Sequence, residues 1–356
     1  MSSNLTFDSI IHVVSSLEVG GAERFVIDLC QLQASSGFCV AILSFGKKSD
    51  PLVAECERIG IKVYHTKRGR FKKWHCAHLA VKCFANIHFH SPYPLKFMLP
   101  IMPFLVKKNV IYTRHGADPL AGNSWAWMHK FARFFVNHIS FVSQEGADVF
   151  TRSHGWHGKT KHVIDNGVNI AEIVVDRKPF NRLRIGSVGR MVELKNQVSL
   201  LQALVALDDL MRANIEIHFF GAGPSEQQLK SYVAEHELKD NVFFHGMISD
   251  RKAIYNSFDV LAVTSRTEGL SLAIIEAMAH FCPIIASNVG GNPKLVEHKK
   301  NGFLFDYNNI NELSAFIVQL YNNSDLNQQF SQYSREKIEQ QFSLATSAKK
   351  YQKLYI

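Results

Sequence analysis

Residues 183–201 read LRIGSVGRMVELKNQVSLL. A short apolar run, Leu183–Val188, enters a Gly189-Arg190 turn, and an apolar-periodic stretch follows at about 195–207. That order predicts a strand, a glycine turn and a helix, the opening of a βαβ unit. It repeats an order found near the start, where Ser9–Leu17 (SIIHVVSSL) leads through Gly20-Gly21 into a helical stretch at Ala22–Ser36. One chain therefore begins the same kind of unit twice.

Downstream of 183, strands are predicted at Ile215–Phe220, Val242–Phe244, Val260–Thr264, Pro283–Ser287 and Gly302–Phe305. Helices fall between them, at about 224–238, 250–257, 271–281 and 310–322. Upstream, Phe38–Phe45, Lys62–Thr66, Asn86–His90, Asn109–Arg114 and Ile139–Ser143 continue the first series, which Lys161–Val168 closes. Residues 170–182 are polar, aperiodic and contain Pro179, which marks a connection. Residues 325–356 read as helical with a break near Ser343. The expected fold class is α/β: two doubly wound parallel-sheet domains, 1–170 and 171–342, and a terminal helix at 343–356. Two such sheets facing one another would form a cleft. Ligands of open parallel sheets bind beyond the carboxyl ends of the strands, so the loops after each strand are the places to search.

Length and composition agree with this. A chain of 356 residues exceeds what one hydrophobic core usually serves, and 46% apolar with 20% charged residues excludes a disordered chain or a membrane bundle. Six cysteines without a C-x-x-C pair read as free thiols in a reducing cytoplasm. Residues 1–10 lack the features of a secretory leader. The formal charge is 40 − 31 = +9, and all of it lies in residues 1–170, which hold 20 basic and 11 acidic side chains. Between Glu57 and Asp118 there is no acidic residue, but 12 Lys or Arg and six His. Such a field suits an anionic partner: a nucleic acid, a phospholipid surface or a phosphorylated substrate.

Four loops after strands carry candidate chemistry. Gly20-Gly21 would let backbone approach a ligand at a helix start, although the pattern is not G-x-G-x-x-G and for an isolated Gly-Gly a plain tight turn is the favoured account. Gly189-Arg190 with Lys195 would place two cations where a diphosphate needs them, or simply on solvated surface. Thr264–Ser271 (TSRTEGLS) runs into a helix that Ser271 can cap and that holds Glu276 among apolar neighbours. A carboxylate there requires partners, either the adjacent hydroxyls of a ribose or a buried cation. His115, in YTRHGAD, follows a strand of the first series; a lone histidine is more often a structural hydrogen bonder than a catalyst.

With these residues in place, the chain resembles the retaining GT-B glycosyltransferases of family 4. The match rests on Glu268-x7-Glu276 inside SRTEGLSLAIIEAMA and on GGAER, HFHSPY, YTRHGAD, DNGVN, VGRMVELKN, FFGAGP and FHGMISD, in order along the chain. The resemblance implies a nucleotide-sugar donor, UDP before GDP on family frequency, and transfer of a hexosyl or N-acetylhexosaminyl group with retention. It implies that Arg190 and Lys195 neutralise the departing diphosphate and that Glu276 binds the ribose. Glu268 and His115 would contact the donor sugar. Gly189, Gly269, Leu270 and Ser271 would hold phosphate or sugar through backbone, Gly20 and Gly21 would lie by the diphosphate and acceptor, and Gly246 and Met247 by the base. The reactive set is then His115, Glu268, Arg190 and Lys195. No D-x-D occurs, so neither a metal nor another cofactor is expected.

The acceptor implied is a lipid-linked or oligosaccharide chain of the kind used in lipopolysaccharide, O-antigen or capsule synthesis. Lys67, Arg68, Arg70, Lys72, Lys73 and Trp74 form a basic and aromatic cluster that would meet an anionic membrane surface. The ten-residue run Phe97–Val106 is too short to span a bilayer but could dip into its interface. The expected location is the inner face of the cytoplasmic membrane, peripherally bound. Two other readings stand beside this one: an epimerase or phosphorylase of the same fold, and a nucleic-acid-binding protein. The neutral second half and the lack of a recognition module argue against the latter, so no nucleic-acid partner is expected.

Overall fold

The structure, a computed structural model, describes residues 8–67, 69–116, 120, 122–154, 156, 158–170, 173, 175–176 and 182–355. The chain divides into two units: Met1–Gly167 together with Leu344–Ile356, and Val168–Ser343. Much of the connection expected at 170–182, Pro179 included, lies outside the described residues, as does Arg68.

The first unit is built from β1 (Ser9–Val14), α1 (Gly21–Ser35), β2 (Cys39–Ser44), α2 (Pro51–Arg58), β3 (Lys62–His65), α3 (Arg70–Val81), β4 (Asn86–Phe89) and α4 (Pro92–Met98). It continues with β5 (Asn109–Arg114), α5 (Asn123–Ala132), β6 (His138–Phe141), α6 (Gln144–His154) and β7 (Lys161–Val163). Its strands form one sheet in the order β3-β2-β1-β4-β5-β6-β7, and every pair is parallel. β1 and β5 are buried along their whole length, as interior strands of a sheet covered on both faces must be. One face packs Val26, Ile27, Cys30, Leu52 and Cys56 from α1 and α2; the other packs Ala77, Leu95, Met102, Met128 and Phe150 from the elements that follow.

The second unit contains β8 (Leu183–Val188), α7 (Val198–Val205), α8 (Asp209–Arg212), β9 (Ile215–Phe220), α9 (Glu226–Glu235), β10 (Val242–Phe244) and α10 (Arg251–Tyr255). β11 (Val260–Val263), α11 (Leu272–Ala279), β12 (Ile284–Ser287), α12 (Asn292–Leu295), β13 (Gly302–Phe305), α13 (Ile310–Asn322) and α14 (Ser324–Gln341) complete it. The sheet order is β10-β9-β8-β11-β12-β13, again all parallel. The last helix, α15 (Leu344–Gln352), belongs to the first unit, where Tyr351 is buried beside Phe25 of α1.

In each sheet, consecutive strands run outward from the middle in both directions. The strand order therefore reverses between β1 and β4 in the first unit and between β8 and β11 in the second. At such a switch point the two loops leave in opposite directions and a crevice opens above the sheet.

Two sequence expectations change in detail. The helix expected at 195–207 begins as a 3-10 turn over Glu193–Lys195, with Asn196 in the left-handed region at φ 49°, before α7 starts at Val198. The run Phe97–Val106 is not one apolar dip. It spans the end of α4 and a 3-10 segment, Leu99–Leu105, with Ile101, Met102 and Leu105 in the core and Phe104 and Val106 exposed. Pro100 and Pro103 explain the tighter winding, because each removes a backbone donor.

One ion-pair cluster fixes α14 to the loop before β13. Glu297 accepts from Lys337 at 2.8 Å, Lys300 at 3.0 Å and the Tyr333 hydroxyl at 3.1 Å. Hydrogen bonds from Lys337 first, then Lys300, pull its carboxyl from an ordinary 4.5 down to about 2. A depressed carboxyl stabilises the fold above its unfolded value and loses that contribution as the pH falls through its folded value. Acid titration of thermal stability should therefore show a loss between about pH 4.5 and 2. That segment of the curve should flatten in Glu297→Gln.

Candidate functional site

The loops at the β8–β11 switch point of the second unit hold most of the expected donor residues. Gly189 and Arg190 follow β8 directly. Gly189 donates its N–H to Phe220 O at 2.9 Å, and Met191 donates to Ala222 O at 3.0 Å, so the loop after β8 is bound to the loop after β9. That contact is too close for any side chain. Gly221 has φ +132°, and a Cβ there would lie 2.1 Å from Gly189 O; one at Gly223 would lie 2.3 Å from Met191 O. Gly221 N in turn donates to Gly246 O at 2.7 Å, which places Gly246 (φ +66°) and the exposed Met247 at the same edge. On the other side, a Cβ on Gly291 would lie 2.0 Å from Gly269 O. The pattern of glycines here is a pattern of backbone touching backbone.

Charge crosses the switch point. Lys195 Nζ lies 2.5 Å from Glu268 Oε1, with the Lys195 side chain 30% exposed and Glu268 10%. Ser265 Oγ donates to the same oxygen at 2.6 Å, and Thr264 Oγ1 donates to Lys195 O at 3.0 Å. Arg190 is exposed and makes no ion pair among the described residues. The loop thus presents one uncommitted guanidinium beside an ammonium held by a carboxylate. Leu270 and Ser271 are buried at the start of α11. Ser271 occupies the N-cap position, but its hydroxyl makes no capping bond to the helix backbone, contrary to expectation. Its carbonyl accepts from Ile275 N instead, at 3.2 Å.

Glu276 is buried on α11 and has protein partners. Tyr255 donates its hydroxyl to Oε2 at 2.6 Å, and Arg251 Nη1 lies 3.4 Å from Oε1. Burial first, and then the Glu276 charge, raise the Tyr255 phenol well above its usual range, so it remains a donor. Of the two partner types open in the sequence, a cation is present, the half-buried Arg251. A carboxylate carries about four lone-pair sites, so acceptor capacity toward further hydroxyls is left.

Gly20, Gly21 and His115 lie in the first unit. Gly20 caps α1 in an extended conformation and accepts from Arg24 N at 3.1 Å. The preceding loop is braced by Asp50, whose Oδ2 accepts from Leu17 N at 2.9 Å and Lys47 N at 3.1 Å. His115 stands just past β5, with Nε2 3.0 Å from His90 Nδ1. Burial pushes its pKa down to about 4, partly offset by the Asn166 side chain, so the ring is neutral near pH 7.

The basic cluster departs from expectation at one residue. Lys67, Arg70 and Lys72 are exposed and Lys73 is partly so, but Trp74 turns inward. It packs on the core, and its indole N–H donates to Phe97 O at 2.8 Å. The aromatic presented to solvent is its neighbour Phe71, 79% exposed. Sequence reading missed a second set on and after α5, where Trp127, Phe131 and Phe134 are exposed among Lys130 and Arg133. Lys130 Nζ lies 5.1 Å from the Trp127 ring centroid and Arg133 4.9 Å from that of Phe134. The stretch WAWMHKFARFF, at 125–135, has no acidic residue, and that was the available signal. Among the described residues no helix is long and apolar enough to cross a membrane.

Comparison with known proteins matches residues 171–337 to the family described as glycosyl transferases group 1, and residues 19–172 to glycosyltransferase family 4. An uncharacterized glycosyltransferase of Haemophilus influenzae is 41% identical over 330 residues, covering 89% of this chain and 91% of that one. The UDP-Gal:alpha-D-GlcNAc-diphosphoundecaprenol alpha-1,3-galactosyltransferase of Escherichia coli is 30% identical over 246 residues, covering 65% and 63%. The chain spans about a third of the length of another relative, the poly(ribitol-phosphate) alpha-N-acetylglucosaminyltransferase of Staphylococcus aureus, with 29% identity over 172 residues. Among solved structures, Anabaena HepE in complex with UDP and glucose superposes with a TM-score of 0.83 at 20% identity, covering 97% and 98% of the two chains. TarM superposes with a TM-score of 0.80 at 15% identity, covering 98% and 99%. At these identities the likeness is one of fold.

The glycine contacts generate a prediction. In Gly221→Ala the new methyl meets a backbone oxygen that cannot move without displacing Gly189 and Arg190, at a φ that L side chains rarely adopt. We expect a loss of about 1–3 kcal/mol in chemical denaturation. Gly37→Ala, also at positive φ but with open space around it, should cost less.

Proposed function

We propose, from the premise that this chain belongs to the group 1 and family 4 glycosyltransferases and has their GT-B fold, that it transfers a sugar from a nucleotide diphosphate to an acceptor hydroxyl with retention of configuration. The observation that carries the reading is the pair of cations after β8, with Lys195 ion-paired to Glu268 across the switch point and Arg190 uncommitted. A diphosphate entering there takes two oxygens to the planar Arg190 guanidinium and competes for Lys195. Lys195 then stabilises the charge that grows on the leaving diphosphate, and Glu268, released from it, accepts from hydroxyls of the donor sugar. Glu276 keeps Tyr255 and Arg251 and uses its remaining lone pairs on the ribose. Gly189, Gly269, Leu270 and Ser271 offer backbone to phosphate, Gly246 and Met247 to the base, and Gly20 and Gly21 to the acceptor side of the diphosphate. His115, neutral, meets a hydroxyl of the donor sugar.

A UDP-sugar is the donor favoured, supported by the UDP and glucose bound in HepE and by the UDP-Gal named for the E. coli relative. A lipid-linked acceptor is favoured by that relative's diphosphoundecaprenol substrate and by the surface of the first unit. There, exposed aromatics stand among Lys67, Arg70, Lys72, Lys73, Lys130 and Arg133, which suits an anionic leaflet at about 1 kcal/mol per basic residue. The protein then works as a peripheral enzyme on the inner face of a cytoplasmic membrane, in the synthesis of a surface glycan. The reaction runs without a metal, because Arg190 and Lys195 supply the compensating charge.

The deciding experiment incubates the protein with UDP-, GDP- and ADP-sugars and undecaprenyl-diphosphate-linked acceptors, and reads product by mass spectrometry. A UDP-sugar should give a product with the donor's anomeric configuration, undiminished by chelator. Inversion, loss restored by Mg²⁺, or no product with any pair overturns the corresponding part. Arg190→Gln and Lys195→Met should each lower kcat by about 10²–10³ with the fold intact. In liposome flotation, the protein should rise with anionic and not neutral vesicles. Trp127→Ser with Phe131→Ser and Phe134→Ser should abolish that flotation; unchanged flotation sinks the membrane assignment.

A further inference from the structure

Glu268 is held by one of its two oxygens. Lys195 Nζ and Ser265 Oγ both donate to Oε1, at 2.5 and 2.6 Å, whereas Oε2 makes no hydrogen bond among the described residues. A carboxylate has about four lone-pair sites, two on each oxygen, so the protein has filled one oxygen and left the other. The side chain is nearly buried, and these two donors set the plane of its carboxylate.

The donors differ in permanence. Lys195 ends the 3-10 turn after β8 and keeps a partly exposed ammonium, for which an anion entering the loop competes. Ser265, two residues past β11, is buried and braced from behind. Ser287, fully buried at the end of β12, donates its hydroxyl to Ser265 O at 2.6 Å. Asn292, also fully buried, donates Nδ2 to Ser287 O at 3.0 Å. A hydroxyl seated in this way keeps its place when a ligand arrives.

The residues on either side of Ser265 make a different contact. Thr264 Oγ1 donates to Lys195 O at 3.0 Å, and Arg266 N donates to Leu194 O at 2.9 Å. The loop after β11 thus divides its donors. Thr264 and Arg266 hold the backbone that carries the cation, and Ser265 holds the carboxylate.

We propose that Ser265 is a positioning residue that keeps Glu268 Oε1 occupied when a diphosphate draws Lys195 away, and so presents Oε2, in a fixed plane, to a hydroxyl of the donor sugar. The proposal rests on the reading that Glu268 meets that sugar. One oxygen belongs to the protein and the other to the substrate. Without the serine hydroxyl, Glu268 turns about its last torsion once Lys195 is engaged, and its lone pairs no longer point along one direction. The charge is kept and the aim is lost, which costs rate more than it costs binding of the nucleotide.

The test separates sugar from nucleotide. Ser265→Ala removes the donor, and Ser265→Cys fills the same space with a weak one. Each should lose about tenfold or more in kcat with the UDP-sugar that the wild type uses, while its affinity for UDP alone, measured by calorimetry, stays within about twofold of wild type. Thr264→Val, which frees the Lys195 carbonyl, should instead weaken UDP. Wild-type kcat in Ser265→Ala, wild-type kcat in Ser265→Cys, or a loss of UDP affinity in Ser265→Ala as large as its loss of kcat overturns the proposal. So does a Thr264→Val protein that loses kcat with its UDP affinity intact. Crystal structures of the wild type and Ser265→Ala with UDP give a readout without turnover. Glu268 should keep its bond to Ser265 in the first and change its carboxylate plane in the second; the same plane in both overturns the proposal. A wild-type protein that shows the expected planes but transfers no sugar from any donor overturns the functional reading while supporting the positioning of Glu268.

Discussion

Lys195 and Glu268 hold one another across the point where the second sheet reverses its strand order, and the surrounding loops are arranged about that contact. An ion pair with a nearly buried carboxylate is strong only if its partners are fixed, because a carboxylate left alone there keeps its desolvation cost. The fixing comes from the backbone. Gly221 and Gly223 let the loop after β9 lie against Gly189 and Met191, and Gly291 lets the next loop lie against Gly269. The loops bearing Lys195 and Glu268 are each clamped by a neighbour too close for a side chain. On the proposed reading, a diphosphate competing for Lys195 meets a cation whose position is set in advance, which lowers the reorganisation needed when charge develops.

The same logic explains how legible this protein is. Strand and helix alternation is written in hydrophobic period, so the elements, the doubly wound pattern and the loops worth searching follow from sequence. Candidate residues at strand ends, such as Arg190 and Lys195, are picked out the same way, since a cation in a glycine loop after a strand is conspicuous. What sequence leaves hidden is pairing between distant elements. Nothing near Glu276 indicates Tyr255 and Arg251, which lie 21 and 25 residues upstream and meet it only in the folded unit. Trp74 and Phe71 are equivalent by composition and touch one another about a turn apart on α3, yet only Trp74 reaches the core. The buried histidines left a trace in HFH, where polar rings alternate at a buried strand, but their partners Gln33 and Tyr355 come from α1 and from the tail after α15.

Glu268 and Glu276 differ in the same way. Glu268 faces a lysine 30% exposed, so water and ligands compete for the contact. Glu276 is held by a buried phenol and an arginine, which fixes its carboxylate plane whatever else it binds. One is placed to exchange partners and the other to keep them.

The last helix and tail have a consequence for how the chain is made. Asn109 of the fifth strand donates to Leu354 O at 2.6 Å, and Tyr355 completes the polar network on the first sheet. A ribosome delivers these residues only after the entire second unit has been synthesised. The first unit therefore waits with its histidine-bearing face uncovered while about 175 residues of the other emerge and fold, an exposure that domain-by-domain synthesis usually avoids. The unit begun first is finished last, and a chain stalled before residue 344 would carry a complete second sheet and an incomplete first one.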